Sequence, residues 1–329
     1  MGKTNQQKVK DFLINNGVII VMFILVIYTG FTSDNFFTKN NFMNILMNMS
    51  SRLVIALGIA GCVITAGCDL SAGRMIGFGA CISGMLLQRM DYSGKFFPNM
   101  QPLNVFVVAL IAMLVCAAFG TVTGFFIAYL NVPPFIATLA MMEIVYGIGL
   151  IVTNATPLGG YVEQYTNVSN GKFLGINYLI WIAIIVAAIT WFIFNMTRHG
   201  KYMYAIGGNP QAAEVAGVPV KATLILIYMK AAAMYGLAGF MLGAKAGGAS
   251  VQTGYGYEME AIAACTIGGV SVTGGRGKVS SAIIGVAVFE LLKVALQYLG
   301  MNANAQYIAI GVVIFIAISL DIRKYIARK

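Results

Sequence analysis

Charge is the scarcest property of this 329-residue chain: only 10% of its residues are Asp, Glu, Lys or Arg, where soluble domains carry about 25%. Proline is rare as well, at 7 residues, and there is a single His, His199. One His, with no CxxC among the five cysteines (Cys62, Cys68, Cys81, Cys116 and Cys265), excludes the familiar metal-binding spacings. The cysteines lie in or beside apolar stretches and read as small core hydrophobes. Catalytic signatures are missing too: there is no G-x-S-x-G and no H-E-x-x-H. The pair Gly277-Lys278 fails as a phosphate-binding loop, because Val272 and Val279 stand where Gly and Ser/Thr are needed. The chain is therefore expected to be no enzyme, with no catalytic residue, no metal and no cofactor of its own. Its energy must come from another polypeptide or from an ion gradient.

What is abundant is apolar surface: 59% hydrophobic residues, with a mean hydropathy of +0.82. Its 38 glycines suit helices whose backbones approach closely. The expected fold is an all-α polytopic membrane protein. With about 20 apolar residues needed per crossing, spans fall near 14–32, 51–67, 72–90, 103–130, 134–153, 178–197, 222–245, 257–272, 278–299 and 303–320, about ten in all. The segments in 51–90 and 257–299 are short and Gly-interrupted, as broken or re-entrant helices are. After the first apolar run no A-x-A-like cleavage site follows, so that run reads as a retained span. The net charge of +10 gives no nucleic-acid stripe, because Lys and Arg sit at the chain ends and between apolar runs. Lys3, Lys8 and Lys10, the 198–221 loop with Arg198, Lys201 and Lys221, and Arg323, Lys324, Arg328 and Lys329 all point inside. The reading is one transmembrane domain over 1–329, both termini cytoplasmic.

Two stretches echo one another: Gly61, Thr65, Gly67 and Gly77 fall on Gly269, Thr273, Gly275 and Gly285 at a constant offset, a candidate internal repeat. Among charges at membrane depth, Asp69 reads as a cap for the helix after it. Glu290 and Lys293, three apart, read as a pair, and Arg74, Arg276 and Lys278 as residues of cytoplasmic turns. The polar residues of the broken segments, Thr65, Asp69, Ser71, Thr138, Thr266, Ser271 and Thr273, are the candidate lining of a path for a neutral solute. Backbone hydrogen bonding is their alternative role.

The segment GGNPQAAEVAG, 207–217, is a punctuated, water-compatible helix between two spans. Asn209 is a good N-cap, Pro210 suits the first turn and Gly217 is a stop before Val218-Pro219. Two turns do not hold alone in water. Something must pack against them, either the chain itself or a partner whose groove accepts Ala212, Ala213 and Ala216 beside Glu214.

ALGIAG and TAGCDLSAGR within 56–74, AYLNVPPFIATLA at 128–140, GKYMYAIGGNPQAAEVAGVPV at 200–220 and AIAACTIGGVSVTGGRGKV at 261–279 together resemble a known family. It is that of the inner-membrane permease subunits of ATP-binding-cassette sugar importers, in the ribose/galactose/xylose branch. LLQRMDYSGKFFPNM at 86–100 and the GGNP element look most like the galactose/methyl-galactoside type. The resemblance implies a bacterial inner-membrane permease homodimer importing a monosaccharide, and an extracytoplasmic sugar-binding protein. It also implies a cytoplasmic ATPase that carries the ATP and Mg and docks on Gly207, Gly208, Asn209, Pro210, Ala212, Ala213, Glu214 and Gly217. Cys68, Ala140, Lys230-Ala231 and Glu143 depart from the usual pattern, which bears on which sugar is carried. Glu143, Lys230 and Asp69 keep a second class in view, an ion-coupled secondary transporter of a small neutral solute. A passive channel or membrane enzyme has no supporting motif.

Overall fold

The computed structural model describes residue 20 and residues 22–326; the side chains at 303, 317, 318 and 320–326 are outside that description. The helices in chain order are α1 (Met22–Thr32), α2 (Lys39–Ile64), α3 (Ala72–Leu86), α4 (Val105–Tyr129), α5 (Pro134–Thr153), α6 (Glu163–Asn170), α7 (Tyr178–Met196), α8 (Arg198–Gly208), α9 (Pro210–Val215), α10 (Val220–Ala246), α11 (Tyr257–Gly268), α12 (Val279–Tyr298) and α13 (Ala303–Ile326). A two-residue hairpin, β1 (Lys172–Phe173) with β2 (Ile176–Asn177), interrupts them.

Among the described residues six helices, α2, α4, α5, α7, α10 and α12, are long and apolar enough to cross a membrane. Every expected span has a helix, and the shorter ones include α1, α3 and α11; the part of the first expected span at 14–19 lies outside the described residues. One boundary is corrected: α2 begins at Lys39, not near residue 51. Its first half, KNNFMNILMNMS, is too rich in Asn to register as apolar, yet Thr38 caps it by accepting from the Asn41 amide, and Asn41 Nδ2 donates to the Phe36 carbonyl. The 154–177 connection carries α6 and the hairpin, which no periodicity announced.

α10 is the central post. It packs along α4, α3 and α2, and it does so through small residues: Cβ atoms on Gly120 and Gly124 of α4 would run into the α10 backbone at Tyr228 and Ile225, and Gly236 lies against Gly79. Close approach of this kind is how apolar helices associate where lipid removes the hydrophobic drive between them. Phe106, Leu110 and Leu114 on α4, Ile144 and Ile151 on α5, and Ile184, Ile185 and Phe192 on α7 remain exposed. Such broad apolar faces belong against lipid or another chain.

The two echoing stretches fold alike. The first runs from the end of α2 through a turn into α3, and the second from the residue after α11 through a glycine-rich turn into α12. Cys62, Cys81, Cys116 and Cys265 are buried, as core residues; the Cys116 and Cys265 thiols donate to the Met75 and Ala56 carbonyls at 3.5 and 3.3 Å.

Candidate functional site

The segment at 198–221 holds two helices. Thr197 accepts from the Gly200 amide at 3.2 Å and starts α8 one residue after α7 ends. Asn209, in an extended conformation, then accepts from the Ala212 amide at 3.0 Å, and Pro210 opens α9. The exit is a Schellman closure: Gly217 N donates to Glu214 O and Val218 N to Ala213 O, both at 3.0 Å, with Gly217 at φ +81° where a side chain would be strained. The local chemistry thus builds the expected cap, first turn and stop.

Tertiary contacts decide which face is free. Ala213 is only 5% exposed and is spent on the chain's own packing, whereas Gly208, Asn209, Pro210, Gln211, Ala212, Glu214, Ala216 and Gly217 are exposed and Val215 is 91% exposed. A bare valine on a six-residue helix is the outstanding apolar tip of this region.

Behind α9 the chain converges on itself. Gly207 is buried at the end of α8, where an added Cβ would overlap the Ile64 carbonyl and the Gly275 amide. Gly275 N donates to Ile64 O at 2.8 Å, and Tyr204 Oη donates to Gly277 O at 2.8 Å. Gly274 comes against Gly207 O and Ala66. So α8, the turn after α2 and the turn after α11 meet as bare backbone at one point, directly beside the exposed knob. Arg276 and Lys278 are exposed in the same turn. His199 on α8 is partly buried; desolvation, helped by the charge of Lys230, lowers its pKa to about 4.

The residues expected to line a path are placed as follows. Thr65, Asp69, Ser71, Thr138 and Thr266 are buried, while Ser271 and Thr273 are half-buried. Asp69, 1% exposed, accepts from the Ser71 amide at 3.0 Å and the Ser71 hydroxyl at 2.5 Å, just before α3. Thr65, Thr138 and Thr266 donate to carbonyls of their own helices at 2.9, 2.9 and 2.8 Å; Thr138 also reaches Cys68 O at 3.4 Å. Ser271 and Thr273 hydroxyls bond one another at 2.9 Å. Thr138 and Cys68 bring two of the candidate segments together, while Thr266 bonds within α11.

Two charge assignments are corrected. Glu290 and Lys293 do not pair with each other: Arg52 Nη1 holds Glu290, and Lys293 Nζ donates to Glu260 Oε1 at 2.7 Å, with Arg52 Nε 3.6 Å from Glu260. Arg52 escaped notice because a helix starting near 51 puts it at a surface; a helix starting at Lys39 carries it into the bundle, and the two glutamates are the signal that it was needed. Arg74 is no turn residue. It is the third residue of α3, where it donates to Gln252 Oε1 at 2.7 Å and lies over the Tyr146 and Tyr255 rings at 3.9 and 4.4 Å.

Residues 41–318 match the family model described as "Branched-chain amino acid transport system / permease component". The chain is 39% identical to the galactose/methyl galactoside import permease protein MglC of Escherichia coli K12, over the full length of both. Against the protein of that name from Haemophilus influenzae the identity is 40%, again over both full lengths, and against the ribose import permease protein RbsC of E. coli K12 it is 32% over 96% of each. No solved structure matches. The chain belongs to this permease family.

Proposed function

We propose that this chain, as a member of that family, is the membrane-spanning subunit of an ATP-binding-cassette importer for a monosaccharide, galactose or a methyl galactoside. One membrane domain over 1–329 crosses about ten times, the 198–221 segment and both termini face the cytoplasm, and two copies form the permease. A cytoplasmic ATPase supplies hydrolysis of ATP with its Mg, and an extracytoplasmic protein delivers the sugar. Full-length identity to permeases that carry those sugars in their names supports the cargo.

The single observation that carries the coupling role is the knob itself: α9 exposes Ala212, Glu214, Val215 and Ala216 while Gly207, just behind it, is wedged between Ile64 and Gly275. A push on α9 is therefore delivered without slack to the turns after α2 and α11, the two breaks in the bundle. Alternating access needs this kind of rigid transmission to a discontinuous region. The test is Val215→Glu. The expected outcome is normal insertion with at least tenfold loss of permease-stimulated ATP hydrolysis, and normal stimulation would defeat the reading.

Ribose is the second cargo, favoured by the identity to the ribose permease. Competition of labelled galactose uptake by excess ribose separates the two. Uptake that survives collapse of the membrane potential and stops on ATP depletion removes the ion-coupled class.

A further inference from the structure

The side of the molecule where α3 and α11 begin carries polar groups that an apolar bundle has no structural need to expose. There a Cβ on Gly73 would run into the Glu258 carboxylate and Gly254 O, so the first turns of two helices meet back to back. Beside that contact Arg74 is clasped between Tyr146 of α5 and Tyr255 of the 250–256 segment. Gln252 ties the group together, accepting from Arg74 at 2.7 Å and donating to Tyr146 Oη at 3.1 Å. Tyr255 is 60% exposed, and Gln252 is exposed with it. One turn before Tyr146 on the same helix, Glu143 is exposed too.

A guanidinium and a carboxylate within a bundle of membrane-length helices do not face hydrocarbon; they face water or protein. The chemistry selects what they face. Arg74 has the Glu258 carboxylate buried beside it at Gly73 and Glu143 exposed on α5, so the wall carries both signs of charge and presents neither a purely cationic nor a purely anionic face. Arg74 is held by the Val251 carbonyl, the Gln252 amide and two ring faces, and so fixes in place an exposed amide and phenol for hydroxyls and an exposed ring face for C–H edges. These are the partners of a neutral pyranose. The wall is open rather than enclosed, as passage of a cargo requires, and it lies where discontinuous helices meet, the usual position of a transported solute.

We propose that Tyr255, Gln252, Arg74 and Tyr146 form the sugar-contacting wall of the translocation path. This rests on the reading of the chain as a sugar permease. The wall differs from the buried hydroxyls of Thr65, Thr138 and Thr266, whose hydrogen bonds go to backbone.

The experiment measures galactose uptake and ATP hydrolysis side by side on the complete importer, carrying Tyr255→Ala, Gln252→Ala or Tyr255→Phe. Sugar taken up per ATP hydrolysed falls at least tenfold in both alanine variants, hydrolysis stimulated by the loaded binding protein stays within twofold of wild type, and Tyr255→Phe, which keeps the ring, retains more than half of the uptake. Unchanged uptake in the alanine variants overturns the wall. Parallel loss of uptake and hydrolysis also overturns it, because that marks a coupling or folding role. A wild-type importer that moves no sugar is a different failure, that of the functional reading itself.

Discussion

Two of the contacts that fasten the helix pair α11–α12 to α2 use opposite chemistry. At Ile64 the fastening is bare backbone: Gly275 donates to its carbonyl and Gly207 closes over it. Twelve residues earlier on the same helix it is buried charge, with Arg52 holding Glu290 and reaching Glu260, itself paired with Lys293. Charges can be rearranged as a set, and a buried pair is often replaceable by apolar residues without loss. A glycine contact has no substitute, since the smallest side chain already overlaps its neighbour. The backbone junction is thus the stiffer of the two, and it is the one beside α9. On the proposed coupling role, force applied at the knob would meet the least compliant contact first.

The comparison is broken most severely at the charges. Arg52→Ala leaves Glu290, 1% exposed, buried without its main partner and should cost about 3–5 kcal/mol, read as a fall in melting temperature in detergent. Arg52→Met combined with Glu290→Met should recover most of that; failure to recover would show the pair has a task beyond mutual neutralisation. Gly207→Ala comes next, at about 1–3 kcal/mol from overpacking. It should also uncouple transport from hydrolysis, because relieving the overlap moves α8 away from Ile64; a variant that melts lower but couples normally would sink the idea of rigid transmission. Val215→Glu should leave melting within about 0.5 kcal/mol, as exposed substitutions do, and act on ATPase stimulation alone. The smallest effect belongs to His199. Its pKa is lowered in the fold, so the unfolded chain binds the extra proton first; the stability this His contributes is complete above about pH 6.5 and is lost as pH falls toward about 4. His199→Gln should flatten melting against pH in that window.

How much of this was legible follows from the range of each interaction. The knob was, down to its cap, first turn and stop, because Asn209, Pro210 and Gly217 act on amides within four residues of themselves. The apolar helices were legible too, since hydropathy is summed locally: each expected span has a helix, and among the described residues six of these are long and apolar enough to cross. The start of α2 was not, because an Asn-rich turn gives no hydropathy signal and is held by Thr38 and Phe36 instead. Glu290 was misassigned to its neighbour Lys293 because spacing along one helix offers only local partners, while the true partner stands on another helix. Arg74 was misplaced for a related reason: a rule that sends Arg to loops cannot foresee two tyrosines arriving from residues 146 and 255. The hydroxyls singled out for a solute path had the alternative of bonding their own backbone, and composition does not choose between these uses.

Sequence alone determined that this chain needs a membrane, where its main apolar helices lie and that 207–217 is a punctuated knob, because each depends on burial preference or hydrogen bonds within a turn or two. The fold alone decided which side of the knob is free, which glycines bear on one another and which charges pair. Those outcomes join residues up to more than two hundred positions apart, and only a packed chain brings such residues within reach.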